Sequence, residues 1–404
     1  MLKVWDYRIS YPLEGIRVIE LGQIIAGTYG GQVLSDLGAE VIKVETPNGD
    51  LGRIPSVAPI NGESGLFLTF NRNKKSIVID LKTEKGLKIF YNLIKKADVV
   101  VDNFRPGVLD RLKINYETLK KINKRIIQCS VTGYGETGEY ANLPALDIII
   151  QSISGYMAIT GEPDTPPVRT GIPLADLSGG IFSCKAILAA LYKREKTGKG
   201  SSISLSMFDG MLSLLTYLGT VWLTKGELPI PPGSSHMYSV PWQAFKVNDG
   251  YVVIATRQEV FWERMCDAMN LEYLKTHEKY ATNPKRVENR DELIPILEKV
   301  FITKSVKEWI DLFREYEVPC APVNNLDGAF NEPPVLERDM VVKYQHPTAG
   351  EIKLPGNPMK FADVEGAISN PAPTLGQHTT EILSSLLEMD ENEIKNLINE
   401  NIIK

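Results

Sequence analysis

The sequence predicts an α/β protein whose larger part is built around a parallel sheet. Between residues 16 and 132, short apolar runs such as IRVIEL, VIKVE and ADVVVDNF alternate with segments of helical periodicity. The first strand-helix-strand unit spans about 30 residues, the usual length of a βαβ unit, and the pattern then repeats. Such alternation is typical of a parallel sheet with helices on both faces.

The pattern continues through one long helix and a further strand. The apolar positions from Ser178 to Arg194 predict a helix that begins near Ser178 and ends at Gly198. The run SISLSM follows as a strand, and residues 209–223 are predicted to form a largely buried helix. Together these elements complete the larger domain.

A proline-rich linker, GELPIPPGSS, separates this pattern from a different one. We therefore assign residues 1–229 to a large domain and residues 230–330, with one strand and three helical patterns, to a smaller α+β domain. Seven prolines lie between positions 331 and 373, so we expect that segment to be extended and rich in loops. The chain is predicted to end in helical structure over 379–403.

Composition and charge exclude several classes of partner. The chain has 50 acidic and 45 basic side chains and a net charge of −5, whereas proteins that bind duplex nucleic acid usually present a basic face. The charge-free segment 210–224 is shorter than the roughly 20 apolar residues that cross a bilayer. The amino terminus shows no secretion signal. The four cysteines of the chain are widely spaced, which is typical of a protein in a reducing compartment. We therefore expect a cytoplasmic protein without nucleic-acid or membrane partners.

The sequence lacks the common signatures of cofactor and metal sites. The glycines at 22, 27, 30 and 31 do not have GxGxxG spacing, which argues against an NAD-dependent enzyme. No GxxxxGK[ST] loop or GxSxG elbow occurs. The histidines and cysteines show neither HExxH nor CxxC spacing, so no metal site is expected.

Two carboxylates precede predicted helices. Asp176, in RTGIPLADLSGG, lies where free backbone N–H groups of a helix would favour its ionised form. This position suits an N-cap as well as a catalytic group, and Asp147, in LPALDIIIQSISG, allows the same two interpretations.

A set of basic side chains follows the predicted strands. Its members are Arg53, Lys82, Arg105 and Arg111. Because parallel sheets bind ligands at the carboxyl ends of their strands, these residues are expected at one edge. Each suits a solvated surface position, but together with Asn103 and Phe104 they could hold an anionic ligand that carries an aromatic base.

Several segments, in order, give the chain a resemblance to a known family. They are PLEGIRVIELGQIIAGTYGGQVLSDLGAEVIKVE, GDLGR, FLTFNRNKKSIVIDLKTEKG, ADVVVDNFRPGVLDRL, the stretch from SVTGYGETGEY to REKTGKG, and PTLGQHTTEIL. They resemble the family III CoA-transferases, a group that includes formyl-CoA and carnitine CoA-transferases and the related 2-methylacyl-CoA racemases. The resemblance covers essentially the whole chain and is densest over 12–210.

The resemblance implies a fold, an assembly and a substrate class. A large Rossmann-like domain and a smaller domain would be followed by a segment, 331–404, that returns to the large domain. Two chains would form an interlocked homodimer. The substrates would be an acyl-CoA and a carboxylic acid, and no cofactor is implied beyond CoA as substrate and product.

The resemblance also implies site residues. Asp176 would be the nucleophile, which forms an acyl anhydride with the donor and then an aspartyl-CoA thioester. The residues implied for CoA binding are Ile79, Lys82, Asn103, Phe104, Arg105 and Arg111. Asp147, Gln151 and Ile25 are candidates for supporting roles, and Ile25, which is polar in some members, indicates a less polar acyl pocket.

Two departures from the family pattern bear on the reaction. Racemase members carry a His-Asp pair where this chain has Leu146 and Asp147, and Leu146 cannot move the proton that racemisation requires. A CoA-transferase is therefore favoured, with a 2-methylacyl-CoA racemase and a CoA-binding protein without transfer activity as the alternatives. The glycine-rich loop of formyl-CoA transferase has no counterpart in PPGSSHMYSVPWQAFKV, so formate and oxalate are not inferred as substrates.

Overall fold

The structure, a computed structural model, describes residues 11–55, 58–362, 364 and 370–404. The prediction that no secretion signal is present falls partly on residues 1–10, which lie outside this part of the chain. The chain forms two compact units. The first contains the chain as far as Ser154 together with Thr170–Thr224 and Leu336–Lys404, and the second contains Gly155–Arg169 and Lys225–Val335.

Strands and helices alternate through the first half of the chain. In the described residues the strands are β1 (Arg17–Glu20), β2 (Glu40–Glu45), β3 (Pro59–Ile60), β4 (Glu63–Ser64), β5 (Lys74–Val78), β6 (Val99–Asp102), β7 (Ile127–Thr132), β8 (Ser201–Ser206), β9 (Trp242–Lys246), β10 (Tyr251–Ala255), β11 (Cys320–Pro322), β12 (Val341–His346) and β13 (Gly350–Pro355). The α-helices are α1 (Ala26–Asp36), α2 (Gly65–Phe70), α3 (Glu84–Lys96), α4 (Val108–Arg111), α5 (Tyr116–Ile122), α6 (Asp147–Ile153), α7 (Leu174–Thr197), α8 (Met207–Leu214), α9 (Thr216–Lys225), α10 (Glu259–Ala268), α11 (Tyr273–Thr276), α12 (Asn283–Glu288), α13 (Arg290–Phe301), α14 (Val306–Glu315), α15 (Leu326–Phe330), α16 (Pro333–Glu337), α17 (Thr379–Glu381) and α18 (Glu391–Asn399).

Six strands of the first unit form one parallel sheet in the order β5-β2-β1-β6-β7-β8. Ile19 of β1 pairs with Ile42 of β2 on one side and with Val100 of β6 on the other. This sheet confirms the predicted α/β fold. The chain moves outward from β1 in one direction and then from β6 in the other, so the strand order reverses between β1 and β6. Open α/β sheets bind their ligands at such a reversal.

Helices α1 and α7 pack closely because glycines form their contact. A Cβ atom on Gly30 would collide with the Ser183 hydroxyl, and one on Gly180 would lie 2.8 Å from the Tyr29 ring. Helix α7 is also long and apolar enough to cross a membrane, but half of its most apolar segment is buried inside the fold. A central helix of a folded domain has the same properties.

The carboxyl-terminal segment covers the edge of the sheet at β5. Ser76 N donates to His378 Nδ1 at 3.1 Å, and Ser76 O accepts from His378 N at 2.9 Å. Val78 N donates to the Thr379 hydroxyl at 3.2 Å, and Asp80 N donates to Ile402 O at 2.8 Å. The backbone groups of Ser76 and the N–H of Val78 on this edge are thereby paired within the chain, which hinders the addition of another strand.

One expectation about local structure is incomplete and another is wrong. Residues 341–355 form the hairpin β12–β13, with Tyr344 and Leu354 buried, because the prolines of this region lie in its turns and at strand ends rather than inside the strands. The helix expected over 209–223 is divided between α8 and α9 at Thr216, whose φ is 52°. Helix α9 has no buried residue, although most of its side chains are apolar.

The second unit has an antiparallel sheet of three strands in the order β11-β10-β9. Helices α10, α13 and α14 supply much of its core. Phe245 stacks on Phe301 with ring centroids 4.3 Å apart, and Trp309 stacks on Phe313 at 5.1 Å. This unit therefore has an aromatic core of its own.

A buried network of charges connects the sheet to the turn after β1. The side chains of Lys43 and Lys74 are 1% and 0% exposed, and both pair with Glu20, at 3.0 and 2.8 Å. Lys43 Nζ also pairs with Asp50 at 2.8 Å and donates to Gly22 O at 2.6 Å. Each charge in this network faces an opposite charge, as buried charges require.

Asp102, at the end of β6, is a fully buried carboxyl with no ion pair among the described residues. Its two oxygens accept from the Ser130 hydroxyl at 2.8 Å and from Phe104 N at 3.2 Å. Burial raises the pKa of Asp102 to about 7, well above the usual value for aspartate. Asp102 thus holds the start of the loop that carries Phe104.

Replacing Lys74 should destabilise the protein far more than replacing its neighbour Lys75. Lys74→Met leaves the buried Glu20 carboxylate with one cation fewer, and breaking a buried ion pair costs about 3–5 kcal/mol. The Lys75 side chain is 36% exposed, and its pairs with Glu40 and Glu381 lie at the surface. Such pairs contribute about 0–1 kcal/mol. Urea unfolding of Lys74→Met and Lys75→Met measures the difference in the free energy of unfolding. Equal losses of stability in the two variants would contradict this account of the network.

Asp102→Asn should make the protein more stable than the wild type at alkaline pH. The folded protein holds a proton on Asp102 that the unfolded chain releases above about pH 4, so wild-type stability falls as the pH rises from about 4 to 7. Asparagine does not ionise, and this loss is therefore absent from the variant. Thermal unfolding at about pH 5 and about pH 8 measures the effect, which should be larger at the higher pH. A difference that does not change with pH would contradict the assigned titration.

Candidate active site

The reversal point of the sheet is held by a double hydrogen bond. Gln23 follows β1, and Asn103 follows β6. Gln23 N donates to Asn103 Oδ1 at 2.8 Å, and Asn103 Nδ2 donates to Gln23 O at 2.9 Å. The side-chain amide of Asn103, a predicted CoA-binding residue, is therefore hydrogen-bonded to the turn between β1 and α1.

Two cavities open at this point and share Gln23 and Phe104. We name the first, of about 320 Å³, the strand-end cavity, because residues after β1, β2, β5 and β6 line it. The second, of about 140 Å³, contains the carboxylates of Asp147 and Asp176, and we name it the aspartate cavity. A ligand that occupied both cavities would pass beside Phe104.

The structure brings most of the predicted site residues to these cavities. Ile79, Lys82 and Phe104 line the strand-end cavity. Ile25, Asn103, Phe104, Arg105, Asp147 and Asp176 line the aspartate cavity. Arg111, exposed on α4, lines neither of the two. Lys82 and Arg105 are exposed, whereas Ile25 and Ile79 are buried.

Arg53, the remaining member of the basic set, is committed to the fold. Its guanidinium donates to both oxygens of Glu45, each at 2.7 Å, and to Pro373 O at 3.1 Å. It also lies 3.7 Å above the centre of the Phe67 ring. These contacts leave Arg53 as a support for the strand-end cavity rather than a free cation within it.

Asp176 lies inside the first turn of α7, not at its cap. The helix begins at Leu174, so the expected start near Ser178 is wrong. The first-turn N–H groups of Ala175 and Asp176 donate to Asp147 Oδ1, at 2.8 and 3.3 Å. The capping acceptor thus comes from a different helix, α6.

The surroundings of Asp176 favour its protonated form. Burial raises its pKa to about 7, and the negative charge of Asp147 contributes to the increase. The expectation that the helix end would favour the ionised form is therefore wrong, because burial and a second carboxylate have the larger effect. Near neutral pH the Asp176 carboxyl exchanges readily between its two forms.

Gln151 and Asp102 lie behind the two cavities and support the side chains that line them. Gln151 is fully buried, and its Nε2 donates to Asp147 Oδ2 at 2.7 Å. Asp102 holds Phe104 N, as described above, and it is not among the residues predicted from the sequence. The signal that could have identified Asp102 is an ionisable residue directly after the apolar run of β6. Among the described residues, no group of three His, Cys, Asp or Glu side chains could hold a metal ion.

Comparisons with known proteins identify the family. The family model of CoA-transferase family III matches residues 13–379. The human succinyl-CoA:glutarate CoA-transferase is 38% identical over 393 residues, which are 97% of this chain and 90% of that protein. The acetyl-CoA:oxalate CoA-transferase of Acetobacter aceti is 40% identical over 370 residues, with 91% and 93% covered.

A solved structure agrees with this result. The crystal structure of a CaiB/BaiF family protein from Brucella suis superposes with a TM-score of 0.84 and is 35% identical, covering 93% of this chain and 100% of that one. The resemblance noted from sequence motifs is therefore confirmed over nearly the whole chain. The protein belongs to CoA-transferase family III and is a CoA-transferase.

Proposed function

We propose that this enzyme transfers CoA from an acyl-CoA to a carboxylic acid through covalent intermediates on Asp176. The observation that carries the proposal is the position of Asp176: it lies in a cavity that shares Gln23 and Phe104 with a second cavity at the strand ends. An extended thioester could therefore place its nucleotide part among the strand ends and its carbonyl beside Asp176.

The reaction needs only exchanges between carboxylates and a thiolate. An Asp176 oxygen attacks the thioester carbonyl, the C–S bond breaks, and an acyl-aspartyl anhydride and CoA thiolate form. The thiolate then attacks the Asp176 carbonyl carbon and releases the donor acid, which leaves an aspartyl-CoA thioester. The acceptor carboxylate repeats these two steps in reverse and departs as acyl-CoA. No proton is consumed overall, and no cofactor or metal ion is required.

Carboxylic acids with a second carboxyl group are the substrates that we propose. The human relative is named for succinyl-CoA and glutarate, and a relative from Haloarcula hispanica, 36% identical, is named for succinyl-CoA and mesaconate. We infer succinyl-CoA or a similar acyl-CoA as donor and a small dicarboxylic acid as acceptor. A screen of acyl-CoA donors against such acids, read by mass spectrometry, tests this assignment.

CoA is proposed to lie over the strand-end cavity. Ile79 and Phe104 would contact the adenine, and Lys82 and Arg105 would contact phosphate groups through charge-assisted hydrogen bonds. Arg111, on α4 after the loop that holds Phe104, would add a further positive charge. Both Lys82 and Arg105 are exposed and therefore accessible to an anionic ligand.

The racemase alternative receives no support from the geometry. Leu146 is 66% exposed and has no titratable group. The carboxylate of Asp147 accepts hydrogen bonds from two backbone N–H groups and from Gln151. Both oxygens of Asp147 are occupied by these donors, and Leu146 has no group that could take up a proton, so neither residue presents a free acceptor to a proton on carbon.

We also propose a cytoplasmic homodimer, interlocked as the family resemblance implies. Helices α6, α7 and α8 are neighbours in the fold and expose a set of large apolar side chains. These side chains are Ile148, Ile149, Ile181, Tyr192 and Leu212, and Leu223 on α9 is 83% exposed. Soluble proteins rarely leave large apolar patches uncovered. A second copy that contributes the same surface would cover this one.

Asp176→Ala should abolish CoA transfer but leave CoA binding nearly unchanged, because the side chain forms the covalent intermediate. Incubation of the wild type with acyl-CoA and then hydroxylamine should produce a hydroxamate on the peptide that contains Asp176. Mass spectrometry of the digested protein detects it. Substantial transfer by the variant would overturn the assignment, whereas exchange of the α-proton with D₂O in the absence of an acceptor acid would favour the racemase.

Lys82→Ala and Arg105→Ala should each weaken CoA binding about 10- to 100-fold, since a hydrogen bond to a charged group contributes about 1.5–3 kcal/mol. Isothermal titration with free CoA measures the affinities. Lys85→Ala is the matched control: Lys85 is also an exposed lysine, but it pairs with Glu400 and lines neither the strand-end cavity nor the aspartate cavity. Wild-type affinity in both test variants would place CoA elsewhere.

Leu223→Glu should shift the protein from dimer to monomer, because it places a charge in the apolar surface proposed for the contact. Leu326→Glu, at a leucine of similar exposure in the second unit, is the control and should not alter the assembly. Analytical ultracentrifugation of the two variants and the wild type distinguishes these states. A monomeric wild type, or a Leu223→Glu protein that remains dimeric, would contradict the proposed surface.

A further inference from the structure

Gln151 is a buried amide whose orientation is fixed from behind. Its Oε1 lies 3.0 Å from both the backbone N and the hydroxyl oxygen of Thr170. Its Nε2 donates to Asp147 Oδ2 at 2.7 Å and reaches Ile172 O at 3.4 Å. Since the Thr170 N–H can only donate, a flipped amide would lose this bond and turn an oxygen toward Asp147. The NH₂ group therefore points at the carboxylate.

The Asp147 carboxylate is in turn held at both oxygens. Oδ2 accepts from Gln151, and Oδ1 accepts from the N–H groups of Ala175 and Asp176 at the start of α7. Pro173, at the N-cap position of α7, provides no side-chain acceptor for these groups. Asp147 thus supplies the missing cap, and its direction depends on the donor at its other oxygen.

We propose that Gln151 is a positioning residue: held by Thr170, it directs the Asp147 carboxylate to the first turn of α7 and keeps this negative charge beside Asp176. The inference rests on the proposed role of Asp176 as nucleophile. It adds that the contact between Gln151 and Asp147 influences the ionisation of Asp176. It also assigns Asp147 a role in capping and electrostatics instead of proton abstraction.

The charges around Asp176 give this arrangement a measurable effect. Among the residues that line the aspartate cavity, Asp147 and Arg105 carry the only other charges. Arg105 is exposed and screened by solvent, whereas Asp147 is fixed on the turn that carries Asp176. A change in the direction of Asp147 should therefore alter the pH at which Asp176 becomes a carboxylate.

The test compares two substitutions that are expected to act differently. Gln151→Met removes the amide and releases Asp147, so the acidic midpoint of kcat/KM should fall by about half a unit to one unit. Gln151→Glu keeps the contact with Thr170 and adds a carboxyl group beside Asp147. The local negative charge is then at least that of the wild type, and the midpoint should stay the same or rise.

A control variant, a milder variant and a second measurement separate this role from a general loss of structure. Gln32→Met replaces another buried glutamine, whose amide lies against Thr69 O and Arg72 and which does not line the aspartate cavity, and it should leave the midpoint unchanged. Thr170→Val removes the hydroxyl, which lies near both Gln151 Oε1 and Ile172 O, but keeps the backbone N–H that donates to Gln151, so a smaller fall is expected. This variant also carries the test if Gln151→Met fails to fold. Hydroxylamine trapping at each pH follows Asp176 directly.

The outcomes distinguish this inference from the proposed function. Loss of activity at every pH without a change of midpoint in Gln151→Met would overturn the positioning role. An equal fall in Gln151→Met and Gln151→Glu would overturn it as well. Transfer activity in Asp176→Ala, or the absence of a trapped hydroxamate in the wild type, would instead overturn the nucleophile assignment on which it rests.

Discussion

The double hydrogen bond between Asn103 and the backbone of Gln23 is the contact on which the cleft depends. It joins the turns after β1 and β6 at the reversal of strand order, and it thereby fixes where α1 begins. Helix α1 packs on α7 through Gly30 and Gly180, and the first turn of α7 carries Asp176. The position of the proposed nucleophile thus follows from the turn at the sheet edge through two closely packed helices.

Buried charges occur in two kinds of environment in the first unit. Lys43 and Lys74 are matched by Glu20 and Asp50, and the four side chains hold the sheet and the first turn together. Asp102 and Asp176 have no cation partner in the part of the chain that the structure describes, and burial brings the pKa of each to about 7. The matched charges are suited to structure, whereas an unmatched carboxyl near neutrality is suited to chemistry that requires both a protonated and an ionised form.

The sequence was sufficient for the parallel sheet and for the family, since alternating periodicity and ordered motifs are local properties of the chain. It could not identify the cap of α7, because the acceptor on Asp147 lies 28 residues before the donor on Ala175. Apolar composition suggested burial for α9, but exposure depends on what covers a helix, which composition does not specify. Arg53 was likewise indistinguishable from Lys82 until the structure placed its guanidinium against Glu45.

The geometry around Asp147 supports the proposal that this chain transfers CoA and does not racemise its substrate. Racemisation requires a base and an acid on opposite faces of a carbon atom, and racemase members resembling this chain have histidine where Leu146 stands. In this chain the adjacent Asp147 directs its oxygens away from such a role, toward Gln151 and the backbone of α7. The other carboxyl that lines the aspartate cavity is that of Asp176, the proposed nucleophile, and one carboxyl is sufficient for the proposed exchange between acids and a thiolate. A histidine introduced at position 146 would therefore add one acid–base group. The carboxylate of Asp147 would still be held by Gln151 and the backbone of α7.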